Sequence, residues 1–339
     1  MVGAMKLLVG LGRYDRTAAL LEGRLGIPGA DVTFISPPLE QLFARAFDKG
    51  DLDVAELSFS NYVYLTSEKK CNYVALPIFP SRTFRHSAIY VNSHAGIQSP
   101  RELIGRVVGV REFSMTAALM ARGVLEDDFG VKASSIRWRY GRADPDDALP
   151  IARMQPRDTE LERIPDAENL SDQLVAGKID ALIAYTPPKC FRERASNVRR
   201  LFPDHVSAER DYYARTGVFP IMHVIAVRRD LAVDAKLCSA VCDAFEQAKR
   251  LAFAALEAYA ALSVSLPWPF DSLTEARALM GKDYWPYGVE KNRAAIEAVA
   301  RYSHAQGLAR RVLAIPEMFA ESSLDWSPDR VPDPSFSAH

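Results

Sequence analysis

Short apolar runs alternate with amphipathic helical patterns along the first eighty residues of the chain. The apolar runs, which predict buried strands, cover 6–11, 31–35, 53–57 and 73–79. The helical patterns cover 17–25, 39–47 and 61–67. Strands that alternate with helices in this way predict a mostly parallel sheet with helices on both of its faces.

A second set of alternating elements follows an extended segment at 87–92. Its strands are expected at 106–110, 135–140 and 180–184, and its helices at 116–129 and 170–176. A further apolar strand at 219–227 and two long amphipathic helices at 235–260 and 289–308 follow it. The sequence therefore predicts a second α/β unit rather than an extension of the first sheet.

Two α/β units predict two lobes. We expect lobe I to comprise residues 1–91 and 220–339, and lobe II to comprise residues 92–219. The chain then crosses between the lobes more than once. Ligands of open α/β sheets bind beyond the carboxyl ends of strands, where loops of both lobes can converge. We therefore predict a two-lobed α/β fold with a ligand cleft between the lobes.

Composition and charge exclude several classes of partner. The chain has 42 basic and 43 acidic side chains and a net charge of −1, so no overall field attracts nucleic acid or a membrane surface. The most apolar long stretch, 251–266, contains Glu257 and cannot span a bilayer. The first residues lack the ordered parts of a secretory signal, and we expect a cytoplasmic protein. The four cysteines lack zinc-binding spacing, and we predict no metal site.

Several common catalytic motifs are missing from the sequence. The segment GLGRYD at 10–15 begins like a dinucleotide-binding fingerprint, but Asp15 stands where the third glycine is needed for close packing of helix on strand. The sequence contains no Walker A loop, G-x-S-x-G elbow or H-E-x-x-H motif. Nicotinamide chemistry and the reactions of those three motifs therefore have no support in the sequence.

The densest polar cluster follows the fourth predicted strand. Arg82, Arg85 and His86 lie within five residues of one another. Two guanidinium groups and an imidazole at the end of a strand can hold a dianionic small molecule and supply a proton. A solvent-exposed basic loop has the same composition, but the position between the lobes favours a binding site.

Two further titratable residues lie in apolar strands. Burial of Glu56 would disfavour its charged form, as a general acid requires, whereas an outward-facing strand residue is the alternative. His223 is also a candidate, although a histidine in an apolar strand is more often a satisfied core residue. Ser114 or Thr116 can cap the helix at 116–129, whose N-terminus then attracts a carboxylate, or can act as an ordinary cap alone.

Three segments of the sequence resemble one enzyme family. They are GDLDVAELS at 50–58, PIFPSRTFRHSAIYVN at 77–92 and GVREFSMTAA at 109–118. These segments are similar to those of the 4,5-dihydroxyphthalate decarboxylases. This resemblance implies a type 2 periplasmic-binding-protein-like fold. The likeness extends over most of the chain, and the block RTFRHS at 82–87 is its most specific part.

The resemblance implies a carboxy-lyase that acts on a small aromatic dicarboxylate in phthalate degradation. Each carboxylate of 4,5-dihydroxyphthalate is para to a hydroxyl. Protonation of the ring carbon that carries the leaving carboxylate therefore gives a ketone-like intermediate, from which CO2 leaves and 3,4-dihydroxybenzoate forms. The phenol takes up the charge, so we expect no cofactor. Assembly into a homo-oligomer is compatible with the sequence.

The resemblance also implies roles for individual residues. His86 is the first candidate for the proton donor, Glu56 polarises the hydroxyls or serves as the alternative acid, and His223 is the third candidate. Arg82 and Arg85 are expected to bind carboxylates. The full set of expected substrate-binding residues is Arg82, Arg85, Arg13, Tyr14, Asp15, Ser58, Ser114, Met115, Thr116 and Tyr185.

Other functions fit the same residues. A non-catalytic solute-binding protein for an aromatic or sulfonated anion would use the same arginines and helix N-terminus. A decarboxylase for a related hydroxylated acid, or a metal-assisted one that uses Glu56 with a histidine, would also fit. Release of CO2 distinguishes an enzyme from a binding protein, and a chelator distinguishes the metal-assisted reaction.

Overall fold

The computed structural model describes residues 4–149, 154–258, 260 and 262–332. In chain order its strands are β1 (Met5–Gly10), β2 (Ala30–Ile35), β3 (Val54–Ser58), β4 (Tyr73–Ala75), β5 (Ser81–Arg82), β6 (Ile89–Asn92), β7 (Val107–Val110), β8 (Arg137–Tyr140), β9 (Leu161–Arg163), β10 (Ala181–Ile183), β11 (Val198–Arg200) and β12 (Ile221–Arg228). Its helices are α1 (Asp15–Leu21), α2 (Leu39–Ala44), α3 (Phe59–Ser67), α4 (Thr116–Phe129), α5 (Leu170–Val175), α6 (Lys189–Arg192), α7 (His205–Thr216), α8 (Ala235–Leu256), α9 (Pro269–Met280), α10 (Arg293–Ala305) and α11 (Ile315–Met318). The predicted alternation over the first eighty residues is confirmed, and α4 has the predicted bounds.

The first sheet has the strand order β2-β1-β3-β12-β4, and β5 pairs with β12 beside this path. β1 pairs in parallel with β2 and β3, as expected for strands joined by helices. β12 instead runs antiparallel to β3, β4 and β5. The prediction of a mostly parallel sheet is therefore wrong for this half of the sheet, because β12 enters it in the opposite direction after the chain has built the second sheet.

The second sheet has the strand order β11-β6-β10-β7-β8-β9. The four strands from β10 to β9 are parallel, and β6 is antiparallel to its neighbours β10 and β11. Because β6 begins at Ile89, the predicted boundary between residues 91 and 92 falls inside a strand of this sheet. We keep the name lobe I for the part around the first sheet and lobe II for the part around the second. The predicted ends of lobe I at 1–3 and 333–339 lie outside the described residues.

Two chain segments connect the sheets, and they contact each other. The chain leaves the first sheet between β5 and β6, through 83–88, and returns between α7 and β12, through 217–220. The Thr83 N–H donates a hydrogen bond of 3.2 Å to the Pro220 carbonyl oxygen, which joins the two crossing segments. The ends of β3, β5 and β12 therefore meet at the junction of the lobes.

A continuous buried core extends through both lobes and includes Val54 of the first sheet and Val108 of the second. α10 packs against both α3 and α4, so the C-terminal part of the chain contacts each lobe. α4 and α10 approach closely at Gly123, where an added Cβ would lie 2.3 Å from the Tyr302 ring. Only a residue without a side chain fits this contact without displacement of the ring.

The apolar features noted in the sequence are buried or interrupted in the structure. The four cysteines, Cys71, Cys190, Cys238 and Cys242, are free and buried, as small apolar side chains usually are. α8 ends at Leu256, within the apolar stretch at 251–266 and before the predicted end at 260. Within the described ranges, no helix has the length and apolar composition to cross a membrane.

Candidate functional site

A cavity of about 440 Å³ lies between the two lobes, in the size range of small-molecule sites. Much of its wall is apolar, formed by Leu39, Phe43, Ala44, Phe47, Met115 and Met222. Its lining residues with carboxyl, guanidinium or imidazole groups are Glu40, Arg85, Arg111, Glu112 and His223. An apolar wall with a few converging polar groups suits a small aromatic acid.

The pairing of β3 with β12 brings Glu56 and His223 together. In this antiparallel register Glu56 lies opposite Ile225, and Ser58 lies opposite His223. Alternate residues of a strand share one face of the sheet, so the three polar side chains project from the same face at the end of β3. Two residues that are 167 positions apart in the sequence thus become neighbours.

Three donors converge on the fully buried carboxylate of Glu56. The Gly12 N–H donates to Oε2 at 2.7 Å, and the Tyr14 hydroxyl donates to Oε1 at 2.7 Å. Nδ1 of His223 lies 2.6 Å from Oε1. Because a carboxylate only accepts hydrogen bonds, Nδ1 carries the hydrogen of this contact. The other ring nitrogen, Nε2, is then the one available to a ligand in the cavity.

Tyr14 and Gly12 form the loop that supports this carboxylate. Burial and the neighbouring Glu56 raise the pKa of Tyr14, so its hydroxyl stays protonated and remains a donor. An added Cβ at Gly12 would lie 2.7 Å from the Tyr14 ring, which explains why a glycine stands here. The GLGRYD segment therefore positions a carboxylate instead of a dinucleotide phosphate.

Arg85 is a buried cation on the cavity wall. Its Nε donates to Sδ of Met222 at 3.2 Å, and its Nη1 donates to the Tyr185 carbonyl oxygen at 3.3 Å. Burial lowers the pKa of Arg85 to about 10, so the side chain is charged at neutral pH. No carboxylate of a described residue lies within ion-pair distance of it. Such a poorly solvated cation is a strong binding site for a ligand carboxylate.

Arg111, which the sequence-based prediction did not include, also lines the cavity. It follows β7 in the turn before α4, and it forms ion pairs with Glu40 at 2.9 Å and with Asp147 at 3.2 Å. The signal for it in the sequence is its position in the segment GVREFSMTAA, a few residues before the predicted helix N-terminus.

The turn before α4 is built differently from the prediction. Met115 is the N-cap residue and its side chain makes no capping hydrogen bond, so neither Ser114 nor Thr116 caps the helix. Oγ1 of Thr116 instead accepts a 3.0 Å hydrogen bond from the Ser60 N–H and lies 3.1 Å from Oγ of Ser58. Met115, Thr116 and Ser58 line the cavity, whereas Ser114 is buried outside it.

His86 does not lie in the cavity, which corrects its prediction as the first candidate for the acid. Its ring packs against Phe202 and Tyr212 at centroid distances of 5.2 and 5.3 Å. Nδ1 is buried with no hydrogen-bond partner among the described residues. Burial lowers the pKa of His86 to about 4, so the ring is neutral at pH 7. The turn that starts at His86 directs this ring into the core while its neighbour Arg85 reaches the cavity.

Three other predicted binding residues lie away from the cavity. The buried guanidinium of Arg82 donates to the carbonyl oxygens of Phe219 and Pro286 and to the Asn292 side chain, so it joins chain segments instead of binding a ligand. Arg13 and Asp15 are exposed, and Asp15 pairs with the adjacent Arg16. Tyr14 and Tyr185 do line the cavity.

Asn61 is a second lining residue that the sequence did not reveal. Its side-chain oxygen Oδ1 is buried and has no hydrogen-bond partner among the described residues. An unsatisfied acceptor at the edge of a cavity suits a ligand that carries a hydroxyl. No group of three or more histidine, cysteine, aspartate or glutamate side chains within the described part of the chain is arranged to hold a metal ion.

Two relatives with one name are similar to this chain in sequence. The 4,5-dihydroxyphthalate decarboxylase of Comamonas testosteroni is 39% identical over 323 residues, which cover 95% of this chain and 98% of the relative. The chain belongs to the 4,5-dihydroxyphthalate decarboxylase family. The enzyme of the same name from Pseudomonas putida is 36% identical over 214 residues, which cover 63% of this chain and 83% of that one. No protein-family model matches the chain.

Solved structures confirm the predicted fold of this family member. The periplasmic aliphatic sulphonate binding protein SsuA from Escherichia coli superposes with a TM-score of 0.55 and 15% identity, covering 96% of this chain and all of that one. The alkanesulfonate-binding protein SsuA from Xanthomonas axonopodis pv. citri, bound to MOPS, gives 0.51 and 15%, covering 94% and 99% of the two chains. The chain therefore has the two-lobed periplasmic-binding-protein-like fold.

Proposed function

We propose that this chain is a carboxy-lyase that converts 4,5-dihydroxyphthalate to 3,4-dihydroxybenzoate in phthalate degradation, without a cofactor. The observation that carries the proposal is the Glu56–His223 pair at the wall of a cavity that also holds Arg85. The 39% identity to the Comamonas testosteroni enzyme over nearly the whole chain supports the same substrate. Cytoplasmic localisation and homo-oligomerisation stay predictions from the sequence.

The reaction needs a proton for one ring carbon and a group that takes up the resulting positive charge. A proton bonds to the ring carbon that carries the leaving carboxylate, and the hydroxyl para to it takes up the positive charge. The bond between the ring and the carboxylate then breaks, its electron pair returns to the ring, and CO2 leaves. The dianionic substrate plus one proton thus gives CO2 and the monoanion of 3,4-dihydroxybenzoate.

His223 is the proton donor in this proposal, in place of His86. Its Nδ1 is held by Glu56, which leaves Nε2 for the substrate and stabilises the imidazolium that precedes proton transfer. Glu56 acts here as a positioning residue, because its oxygens are already occupied by Gly12, Tyr14 and His223. A well-placed acid contributes about 10²- to 10⁴-fold to the rate.

The remaining lining residues support binding of the substrate. Arg85 supplies a cation for one carboxylate, and the N-terminus of α4 beside Thr116 supplies N–H groups that lack partners inside the helix. Oδ1 of Asn61 accepts a hydrogen bond from a ring hydroxyl, which satisfies its buried lone pairs. Phe43, whose ring meets His223 edge-on at 4.9 Å, belongs to the apolar surface for the aromatic ring.

Incubation of the purified protein with 4,5-dihydroxyphthalate tests the proposal, with CO2 and 3,4-dihydroxybenzoate measured by chromatography. In D2O the product gains one deuterium on the ring carbon that lost the carboxylate. We expect His223→Gln to lower kcat by about 10²-fold or more. His94→Gln is the matched control, because His94 is exposed, and it should have full activity.

Three outcomes of this assay would contradict the proposal. Tight retention of the ligand without CO2 would indicate a solute-binding protein. Loss of activity with a chelator, restored by a divalent metal, would indicate a metal-assisted reaction. Full activity of His223→Gln would remove His223 from the role of acid.

A further inference from the structure

Arg111 is held by two carboxylates at once, although it lines a cavity that we propose binds anions. Its Nη2 donates to Oε2 of Glu40 at 2.9 Å and to the Ala148 carbonyl oxygen at 3.3 Å, and its Nη1 lies 3.2 Å from Oδ2 of Asp147. The Arg111 side chain is only 4% exposed. The charge of this buried cation is therefore fully balanced by protein groups.

The two carboxylates differ in their lobe and in their access to water. Asp147 belongs to lobe II, like Arg111, and its side chain is 26% exposed. Glu40 belongs to α2 of lobe I, so its ion pair with Arg111 crosses the cleft, and its side chain is 48% exposed. Among the residues that the structure describes, its other oxygen, Oε1, accepts one long hydrogen bond of 3.5 Å, from the Tyr185 hydroxyl. Glu40 can therefore turn into water at little cost, whereas Asp147 stays with Arg111.

The charge balance of the cavity requires such a change when a dianion binds. Arg111 is already paired with Glu40 and Asp147, whereas Arg85 lines the same cavity as a cation that a ligand carboxylate can neutralise. A phthalate brings two further negative charges into a site with mostly apolar walls, where uncompensated charge is costly. Arg85 can take one carboxylate directly, but Arg111 can take the second only if Glu40 leaves.

We propose that Glu40 competes with the second carboxylate of the substrate for Arg111. The proposal rests on the decarboxylase function, since it assigns the second carboxylate of that substrate. A dicarboxylate displaces Glu40 into water and connects Arg85 of the first crossing segment with Arg111 of lobe II. After CO2 leaves, the product has one carboxylate, and Glu40 pairs with Arg111 again. Glu40 thus determines how strongly the site discriminates between dicarboxylates and monocarboxylates, and it favours product release.

Calorimetric titration with two unreactive ligands tests this proposal. Phthalate and benzoate lack the hydroxyls that the reaction needs, and they differ by one carboxylate. We expect Glu40→Gln to lower the Kd of phthalate by about 3- to 10-fold and to change that of benzoate less than about 2-fold. Glu162→Gln is the matched control, because Glu162 forms a 2.9 Å pair with Arg139 away from the cavity, and it should change neither Kd.

A second variant tests whether Arg111 binds the second carboxylate of phthalate. In the Glu40→Gln background, Arg111→Gln should abolish the gain in phthalate affinity, while far-ultraviolet circular dichroism checks that the double variant is folded. An unchanged or higher phthalate Kd in Glu40→Gln, or an equal gain for both ligands, would overturn the proposal. These ligands are bound but not turned over, so failure here is distinct from failure to form 3,4-dihydroxybenzoate.

Discussion

Replacement of His86 by Phe separates a packed core residue from a catalytic one. Its ring lies between Phe202 and Tyr212, and Asp128, Arg215 and His205 are the charged or titratable groups that act on it. Phenylalanine keeps the ring contacts and removes the buried nitrogen that lacks a partner. We therefore expect kcat at pH 7 to stay within a few-fold of that of the natural protein.

The same substitution should change how stability depends on pH. The pKa of His86 is about 4 in the folded protein, because burial disfavours the charged ring, and its ordinary value is 6.5. Between these values the unfolded chain binds more protons than the folded one, so stability is full above pH 6.5 and falls as the pH falls toward 4. The values differ by about 2.5, which at about 1.36 kcal/mol per pKa unit corresponds to a loss of roughly 3 kcal/mol.

Urea unfolding at pH 7, 6, 5 and 4 measures this loss. The readout is the difference in unfolding free energy between the natural protein and His86→Phe at each pH, so that other titrating groups cancel. We expect the difference to move in favour of the variant by roughly 3 kcal/mol from pH 7 to pH 4. A difference that does not change with pH would refute the argument from burial, and a fall in kcat of about 100-fold or more would return His86 to the catalytic site. His94→Gln, at an exposed histidine, should show no such trend.

Two further substitutions test the support of Glu56, and a third tests the packing of α4 against α10. Gly12→Ala should lower kcat by about 10-fold or more in steady-state assays, because the new Cβ would meet the Tyr14 ring at 2.7 Å and displace the donor to Glu56. Tyr14→Phe should lower kcat with little change in KM, since it removes only that donor. Gly123→Ala should lower the unfolding free energy by about 1–3 kcal/mol in urea, because its Cβ would meet the Tyr302 ring at 2.3 Å. An unaltered kcat in Gly12→Ala or in Tyr14→Phe would contradict the first two expectations. An unaltered unfolding free energy in Gly123→Ala would contradict the third.

The sequence predicted the elements of the fold better than their pairing. Hydrophobic periodicity located the parallel strands of lobe I and the bounds of α4, because local burial determines both. It did not reveal that β12 inserts antiparallel between β3 and β4, since nothing in a strand's own pattern specifies its distant partner. The pairing partners are determined by the return of the chain from lobe II.

In the candidate site, too, the sequence predicts local features and not the contacts between distant residues. Arg85 was found because a basic cluster at a strand end is visible locally. The prediction for the neighbouring His86 is wrong, because the short helical turn that begins at His86 determines which of two adjacent side chains reaches the cavity. The Glu56–His223 contact depends on strand register over 167 positions, so the two residues were candidates without being recognised as a pair. Arg111 lies in the segment GVREFSMTAA, but its place in the site depends on the cavity that both lobes form.

The two lobes carry different side chains of the candidate site. Tyr14, Glu56 and His223 belong to one hydrogen-bonded unit of the first sheet, and Arg85 lies on the crossing segment that is bonded to the other at Pro220. Lobe II contributes Arg111, Thr116 and Tyr185 to the cavity. Opening of the cleft would therefore release the ligand from lobe II and leave the acid and its carboxylate assembled. The proposed proton donor is therefore complete within lobe I, and lobe II adds binding contacts to it.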